Sequence, residues 1–166
     1  MIILFGGNGY IGSEFKKQLN KKQIPFINYE DARKTTFDQL QTFIKDNKIS
    51  HVINAAGYTG KPNVDACETN KNETFYGNVL WPQILVHFCR LNDIVLGHVS
   101  SGCIYTGKKP DGSGFTEKDE PNFSFKQNNC SFYSGTKALA ETSVSSYEKN
   151  YIWNTYSNIF LNYLLQ

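Results

Sequence analysis

The chain has 166 residues, a length that suits one domain with a substantial core. Its 17 Lys plus Arg and 15 Asp plus Glu give a formal charge of +2, too small to indicate nucleic acid or an anionic membrane as a partner. The four cysteines form no CxxC pair and accompany only three histidines, which predicts neither a metal site nor a disulfide scaffold. The sequence has no apolar run of about 18 residues and no signal-peptide pattern. We therefore predict a cytoplasmic protein without a membrane span.

The chain begins with an apolar run that breaks into a series of glycines. Residues 2–5 have the β-branched, apolar and aromatic make-up of a buried parallel strand. Gly6 allows a tight turn, Gly9 leaves the backbone bare for a pyrophosphate, and Gly12 lets the next helix pack closely on the sheet. The free N–H groups at the start of that helix favour an anion. A structural turn without a ligand is the alternative. The predicted cofactor-binding residues of this loop are Gly6, Asn8, Gly9, Tyr10, Ile11 and Gly12.

Predicted strands and helices alternate along the rest of the chain. Thr36 and Gln39 match a capping box, which predicts the start of a helix. The alternation favours a parallel sheet with right-handed crossovers and helices on both faces, a Rossmann-type α/β fold. The further predicted strands are 24–28, 51–54, 94–99 and one beginning at Tyr151, and the predicted helices are 12–22, 37–47, 73–91 with a bend near Pro82, and one from Ser131.

Two stretches fall outside this alternation. Residues 107–129 are rich in Gly, Pro, Lys, Asp and Asn, which predicts a surface loop over the site. Residues 154–166 contain no charged residue and have no clear periodicity. We therefore assign residues 1–153 to one NAD(P)-binding Rossmann domain and leave 154–166 unassigned.

Tyr133 and Lys137 form a Tyr-x-x-x-Lys pattern within a predicted helix. Residues four apart lie on one helix face, so the Lys137 ammonium can lie beside the Tyr133 phenol. A free tyrosine has a pKa of about 10, and a nearby cation lowers it. Tyr133 could then donate a proton to a carbonyl oxygen as a hydride reaches the carbon. The alternative is a chance surface pair.

Polar side chains follow the fourth predicted strand. Ser100, Ser101 and Cys103 would lie at the C-terminal edge of the sheet, where open α/β folds bind ligands. Ser101 could hydrogen-bond the carbonyl oxygen that Tyr133 protonates. The alternative is simple polar capping of the strand end.

Together these motifs resemble the extended short-chain dehydrogenases/reductases that act on nucleotide sugars. The matching segments are the three glycines, residues 54–57, Asn78-Val79, Ser101 and the Tyr133 motif. Within that group, residues 54–68, 102–104 and 121–123 resemble the plant-type nucleotide-rhamnose synthase and the dTDP-4-dehydrorhamnose reductase family. The resemblance implies NADPH-dependent reduction, with 3,5-epimerisation as an accompanying activity, of a UDP- or dTDP-4-keto-6-deoxyhexose in L-rhamnose nucleotide synthesis.

The resemblance also implies roles for individual residues. Ser101, Tyr133 and Lys137 become the catalytic set of the reduction. Cys103 stands two residues after Ser101, where the related GDP-fucose synthase has an acid/base cysteine. A thiol with a pKa of about 8.5 can exchange protons next to a ketone. A buried structural cysteine is the alternative. Asn54, Ala55, Ala56 and Gly57 are the predicted cofactor residues after the third strand.

Cofactor and substrate choice rest on two further segments. Glu30 or Asp31 could bind the ribose hydroxyl of NAD, whereas Arg33 could bind the 2′-phosphate of NADP. The resemblance favours NADP, with NAD as the alternative. Lys61 and Asn63 are candidate substrate contacts, or simply surface-loop residues.

Members of the resembled group are considerably longer than this chain. We therefore expect most of the C-terminal substrate lobe to be missing, and the alternative function is a non-catalytic NAD(P)-binding module or a truncated remnant of the enzyme. By analogy, a homodimer would form through the helices at 73–91 and 131–149.

Overall fold

The computed structural model describes residues 1–153 except Asp31, Arg33, Lys34, Glu117 and Asn128. Over these residues, five parallel strands form one sheet in the order β2-β1-β3-β4-β5. The strands are β1 Ile2–Phe5, β2 Phe26–Tyr29, β3 His51–Asn54, β4 Val95–Val99 and β5 Asn150–Trp153. The α-helices are α1 Tyr10–Lys21, α2 Phe37–Asp46, α3 Lys71–Phe75, α4 Trp81–Asn92 and α5 Phe132–Ser145. The predicted Rossmann-type fold is confirmed.

Strand β1 lies inside the sheet, between β2 and β3. All four of its residues are buried, and it pairs with β2 on one side and β3 on the other. The chain leaves β1 toward β2 and then crosses back to β3, so the connections diverge above the ends of β1 and β3. In open α/β sheets a ligand binds in the crevice at this switch point. The topology therefore places the segments after Phe5 and Asn54 at one crevice.

Apolar side chains cover both faces of the sheet. On one face, Phe15 and Leu19 of α1 pack with Leu4 and Ile53 of the strands. On the other, helices α2, α4 and α5 contribute to a second cluster. Fully burying each such side chain contributes roughly 1.5–3 kcal/mol. Burial on both faces explains why β1 is a continuous apolar run rather than an alternating one. Members of the second cluster include Ile3, Phe5, Leu40, Leu85, Leu96 and Val144.

The predicted capping box at the start of α2 is confirmed. The Thr36 hydroxyl accepts a hydrogen bond from the Gln39 backbone N–H at 3.2 Å, and the Thr36 backbone N–H donates to the Gln39 side chain at 2.9 Å. These contacts satisfy two N–H groups that a helix start leaves free.

The single bent helix predicted over 73–91 is wrong in detail. Helical backbone begins two residues earlier, at Lys71, and a π-helical turn, Tyr76–Leu80, separates α3 from α4. Pro82 has no N–H to donate to the carbonyl four residues earlier, and the Trp81 N–H instead bonds to the Tyr76 carbonyl. Such π-turns often occur at functional sites, and this one carries Asn78 to the crevice.

Two 3-10 helices, Val64–Glu68 and Gly102–Ile104, follow β3 and β4 and were not predicted. As predicted, the described residues of 107–129 form a loop. Phe125 packs this loop against α5. A Cβ on Gly135 would lie only 2.3 Å from the Phe125 ring, so the ring rests directly on the helix backbone.

No helix in the described part of the chain is both long and apolar enough to cross a membrane. The described residues also contain no group of three or more His, Cys, Asp or Glu side chains able to hold a metal ion. The tail at 154–166 lies outside the described residues.

Candidate cofactor and catalytic site

The glycine loop after β1 is shaped by close backbone contacts. Gly6 has a φ of +77°, and a Cβ there would lie 2.5 Å from the Ala56 backbone nitrogen. A Cβ on Gly12 would lie 2.0 Å from the Gly6 carbonyl oxygen. A Cβ on Gly9 would meet only that same carbonyl oxygen, at 3.3 Å, so this position is the one the fold constrains least. The bare backbone at Gly9 therefore leaves room for a bound ligand, and its assignment to a cofactor stays a prediction.

A pocket of about 240 Å³ opens where this loop meets the segment after β3. Its lining is mainly apolar and aromatic, with backbone groups exposed at the glycines, which is typical of a nucleotide site. Five predicted cofactor residues line it: Gly6, Gly9, Ala55, Ala56 and Gly57. Four lining residues were missed, because only the fold brings them here: Ala32, Tyr76, Gly77 and Trp81.

The start of α1 faces this pocket without a side-chain cap. Gly9 is the N-cap residue, and the first turn of the helix carries no acidic residue. Its N–H groups and the positive end of the helix dipole are therefore available to an anion. Tyr10 is 92% exposed and Ile11 is partly exposed at this helix start.

Asn8 belongs to a polar network at the rim of the same loop. Its amide donates to the Glu30 carboxylate at 2.9 Å, and its carbonyl oxygen accepts from Lys16 at 3.0 Å. The Asn28 amide donates to the same Glu30 oxygen at 2.9 Å. Glu30 thus lies just beyond β2, where the sequence predicted an acidic contact for a ribose. Arg33, the predicted phosphate contact, lies outside the described residues.

Asn54 does not line the pocket but hydrogen-bonds to two residues that do. Its side-chain oxygen accepts from the Ala56 N–H at 3.2 Å and from the Trp81 indole N–H at 3.3 Å. Its amide nitrogen lies 3.0 Å from Nδ1 of His98 on β4. Asn54 is fully buried, so these contacts fix the pocket wall and connect it to the next strand.

At the end of β4 the structure places Tyr133 beside Ser101, and Lys137 beside the Val99 carbonyl. Ser101 caps the short 3-10 helix after β4, its hydroxyl accepting from the Cys103 N–H at 3.2 Å. Tyr133 lies in the first turn of α5 and Lys137 one turn later, both buried. Cys103 is exposed, which rules out the alternative of a buried structural cysteine.

The predicted lowering of the Tyr133 pKa is wrong for this structure. Burial raises the pKa of the Tyr133 phenol, with the neighbouring Ser101 hydroxyl acting in the opposite direction. The Lys137 ammonium donates to the Val99 carbonyl at 2.8 Å. Burial lowers the pKa of Lys137 to about 8, opposed by Glu141. Helical spacing predicted that Tyr133 and Lys137 share a face of α5. It did not predict the free-energy cost of burying their charged forms.

Asn78 connects the loop after β3 to helix α5. Its side-chain oxygen accepts from the Tyr58 N–H at 2.8 Å, and its amide donates to the Tyr58 carbonyl at 2.9 Å and to Thr136 at 3.4 Å. Thr136 lies between Tyr133 and Lys137 on α5. In the sequence, Asn78 stood out only through the family resemblance, because its partners are 20 and 58 residues away.

Replacing Asn78 with alanine is expected to destabilise the fold by about 2–4 kcal/mol. The change removes three hydrogen bonds and leaves the Tyr58 N–H and carbonyl without their partner. Urea unfolding would measure the loss, with Asn63→Ala as a control, since Asn63 is exposed and caps only a short 3-10 helix. Equal stability of the two variants would contradict this role.

A second contact fixes the start of α5. The Glu68 carboxylate accepts a hydrogen bond from the Phe132 N–H at 2.6 Å, and the Ser131 hydroxyl accepts from the Ser134 N–H at 3.1 Å. Both satisfy free N–H groups of the first turn. The helix start, and with it Tyr133, is thereby held against the segment that follows β3.

Lys61 and Asn63 lie on the exposed loop between β3 and the first 3-10 helix. The Asn63 side chain accepts from the Asp65 N–H at 3.0 Å, a capping role. Neither residue lines the pocket after β1. Their assignment to the substrate stays a prediction.

Residues 1–162 match the family model of the RmlD substrate binding domain. The chain belongs to the RmlD family. A relative of this chain is the trifunctional UDP-glucose 4,6-dehydratase/UDP-4-keto-6-deoxy-D-glucose 3,5-epimerase/UDP-4-keto-L-rhamnose-reductase of Arabidopsis thaliana. It is 41% identical over 143 residues, which cover 84% of this chain and 21% of the plant protein.

Two solved structures resemble this RmlD-family chain. The UDP-rhamnose synthase of Acanthamoeba polyphaga mimivirus superposes with a TM-score of 0.76 at 26% identity, covering 92% of this chain and 54% of the viral one. The dTDP-4-dehydrorhamnose reductase of Bacillus anthracis, solved in complex with NADP, gives a TM-score of 0.74 at 21% identity, covering 92% and 52%. The chain thus spans about half the length of these structures, and its relatives are enzymes of rhamnose nucleotide-sugar reduction.

Proposed function

We propose that this chain forms the cofactor-binding and proton-donating part of an enzyme that reduces a UDP- or dTDP-4-keto-6-deoxyhexose with NADPH in L-rhamnose nucleotide synthesis. The observation that carries the proposal is that the Tyr133 phenol faces the Ser101 hydroxyl while Lys137 bonds to the Val99 carbonyl, at the sheet edge that also bears the glycine-lined pocket. The names of the plant and viral relatives support the sugar class.

The residues of the pocket fit a nicotinamide dinucleotide. A Cβ at Gly6 or Gly12 would fill space that backbone already occupies, so the loop has the compact form that lets main-chain N–H groups approach a pyrophosphate. Ala32, Ala56 and Trp81 provide an apolar wall suited to a planar base. When bound, such a cofactor supplies the hydride.

Tyr133 acts as the proton donor in the proposed reaction. Its raised pKa keeps the phenol protonated at neutral pH, the state that a donor needs. As the ketone carbon gains a hydride, the ketone oxygen takes the phenolic proton and becomes a hydroxyl. Ser101 donates a hydrogen bond to the same oxygen, and the Lys137 cation favours the phenolate that remains.

Glu30 bears on the choice between NADP and NAD. A carboxylate held by Asn8 and Asn28 at the end of β2 favours a ribose hydroxyl, whereas the nearby Lys16 favours a phosphate. The NADP complex of the Bacillus anthracis reductase and the family resemblance lead us to propose NADP, with NAD as the alternative.

Cys103 is proposed as the acid/base of an accompanying epimerisation. Its exposed thiol stands two residues after Ser101, close enough to the Tyr133 phenol to affect its pKa. As thiolate it would remove a proton from the carbon next to the ketone and pass that proton to solvent; inversion is completed when a second donor, such as water, protonates the enolate from the opposite face.

Replacing Cys103 with serine is expected to slow the uptake of solvent deuterium next to the substrate ketone by about 10²–10⁴-fold. A serine hydroxyl is far less acidic than a thiol, so it cannot remove that proton. Mass spectrometry of the recovered nucleotide sugar would measure the exchange. Cys130→Ser is the matched control and should exchange at the wild-type rate. Undiminished exchange in Cys103→Ser would refute the assignment.

The alternative function is a non-catalytic NAD(P)-binding module, and the chain spans about half the length of each solved relative. Fluorescence titration with NADPH and with NADH, followed by a turnover assay on UDP-4-keto-6-deoxyglucose, separates the two. Binding with turnover supports the enzyme, and binding without turnover supports the module. Absence of binding would exclude both.

Two further properties belong to this proposal. The free thiols of Cys67, Cys89, Cys103 and Cys130 suit a reducing compartment such as the cytoplasm. Exposed leucines lie on the two neighbouring helices α4 and α5, with Leu91 at 60% and Leu139 at 36% exposure. These helices offer the surface through which a homodimer would form.

A further inference from the structure

A group of polar side chains lies behind the catalytic lysine, and we call it the Lys137 cluster. It consists of His98 and Ser100 at the end of β4, and of Lys137 and Glu141 on successive turns of α5. The first three are at most 5% exposed. Glu141 is partly buried, but its Oε1 atom is inaccessible. None of these residues except Lys137 has a role in the proposed reaction.

Three polar atoms of the cluster have no hydrogen-bond partner among the described residues. They are Nε2 of His98, Oγ of Ser100 and Oε1 of Glu141. Buried polar atoms are usually paired, so three unpaired ones around one buried cation call for an explanation. The Lys137 ammonium has three N–H donors, of which the Val99 carbonyl takes one. Electrostatic attraction to this cation can orient the two oxygen atoms, Oγ of Ser100 and Oε1 of Glu141, whereas His98 must be considered separately.

His98 cannot supply the negative charge that a buried cation needs. Two N–H groups face the side-chain oxygen of Asn54, which leaves its NH₂ group to donate to Nδ1 of His98. Nδ1 is therefore the acceptor, and the neutral ring carries its proton on Nε2. Burial, with the Lys137 charge, lowers the pKa of His98 well below 6.5 and keeps the ring neutral.

Glu141 is the member of the cluster that can balance the lysine. It lies one helical turn beyond Lys137, a spacing that places both side chains on one face of α5. Burial raises the pKa of Glu141, while the Ser100 hydroxyl, which faces the carboxylate without full hydrogen-bond geometry, and the Lys137 ammonium act to keep it ionised. Tyr133, the other titratable group on this face, is neutral in its protonated form.

We propose that Glu141 is a positioning residue for Lys137: its carboxylate, assisted by Ser100, holds the buried ammonium in its charged form next to Tyr133. The consequence for turnover rests on the proposed function, whereas the consequence for the charge of Lys137 does not. With its pKa near 8, Lys137 is mostly charged at neutral pH. Without the carboxylate, it would lose its proton at lower pH.

The proton affinity of Lys137 can be measured directly by NMR on the full chain with ¹³C-labelled lysine, with its signal assigned through Lys137→Arg. We expect Glu141→Gln to lower the titration midpoint of Lys137 by about one pH unit or more, a tenfold loss of proton affinity. Glu141→Asp should restore most of it. Ser100→Ala should lower the midpoint by a smaller amount, because the hydroxyl helps to keep the carboxylate ionised.

Glu148→Gln is the matched control, because Glu148 is exposed and lies just beyond the end of α5. An unchanged Lys137 midpoint in Glu141→Gln would overturn the proposal, whatever the effect of Ser100→Ala. This measurement needs no cofactor, so it stands even if the chain shows no turnover. If turnover is found, the alkaline limb of its pH profile should move down by the same amount in Glu141→Gln, since the charged lysine is lost at lower pH. A pH profile that stays in place while turnover falls would show a merely structural role.

Discussion

Replacing Tyr133 with phenylalanine is expected to reduce turnover of a 4-keto-6-deoxyhexose nucleotide by about 10²–10⁴-fold, the usual contribution of a positioned general acid. The change removes only the phenolic oxygen, so the packing of this buried ring is preserved. The pocket after β1 does not include Tyr133, so NADPH should bind with unchanged affinity. Steady-state kinetics and a fluorescence titration on the same preparation would measure both effects.

Tyr151→Phe serves as the control, because this tyrosine is 45% exposed on strand β5. It should turn over at the wild-type rate. If Tyr133→Phe also keeps full turnover, Tyr133 is not the proton donor, and the enzymatic proposal loses its central residue.

Replacing Gly12 with alanine is expected to destabilise the fold by about 1–3 kcal/mol, the usual cost of overpacking. The added Cβ would lie 2.0 Å from the Gly6 carbonyl oxygen and 2.7 Å from the Gly7 Cα, both backbone atoms that cannot move aside cheaply. Alanine otherwise stabilises a helix by about 1 kcal/mol relative to glycine, and the clash outweighs this gain. Relief of the clash requires the glycine loop to shift, so cofactor binding should be lost as well.

Gly114→Ala is the matched control for this substitution. A Cβ at that position meets no atom within 4 Å, so its effect should stay within about 0.5 kcal/mol, as for ordinary surface changes. Urea unfolding and NADPH titration measure the two effects separately. If Gly12→Ala binds NADPH as the wild type does, the glycine loop is not the cofactor site.

Local patterns predicted most of the elements correctly. Strands β1 and β3 have the predicted bounds, and α2 begins at the predicted capping box, because short-range apolar patterning and side-chain capping decide these features. The π-turn at Tyr76–Leu80 was missed, because apolar periodicity predicts a helix but does not show that the Trp81 N–H bonds to the Tyr76 carbonyl. The Ala32 and Trp81 walls of the pocket were missed for the same kind of reason, because distant segments meet there only in the folded chain.

The chemistry of the site was likewise predicted only in part from the sequence. Spacing predicted that Tyr133 and Lys137 share a helix face, and position after a strand placed Ser101 with them. Spacing does not reveal burial, so the direction of the Tyr133 pKa shift was predicted wrongly. His98 and Glu141 offered no recognisable motif, and their nearness to Lys137 appears only in three dimensions.

The Asn78 side chain holds the backbone at Tyr58 on one side and Thr136 on the other. A displacement of the loop after β3 would therefore strain the contact with the turn of α5 between Tyr133 and Lys137. The proposed cofactor wall and the proposed proton-transfer residues are thus joined through one side chain. Shifting this loop to accept a different nucleotide is expected to disturb the proposed proton transfer as well, so redesign of the binding specificity should begin at Asn8 and Glu30, whose described hydrogen bonds run to Lys16 and Asn28 and not to α5.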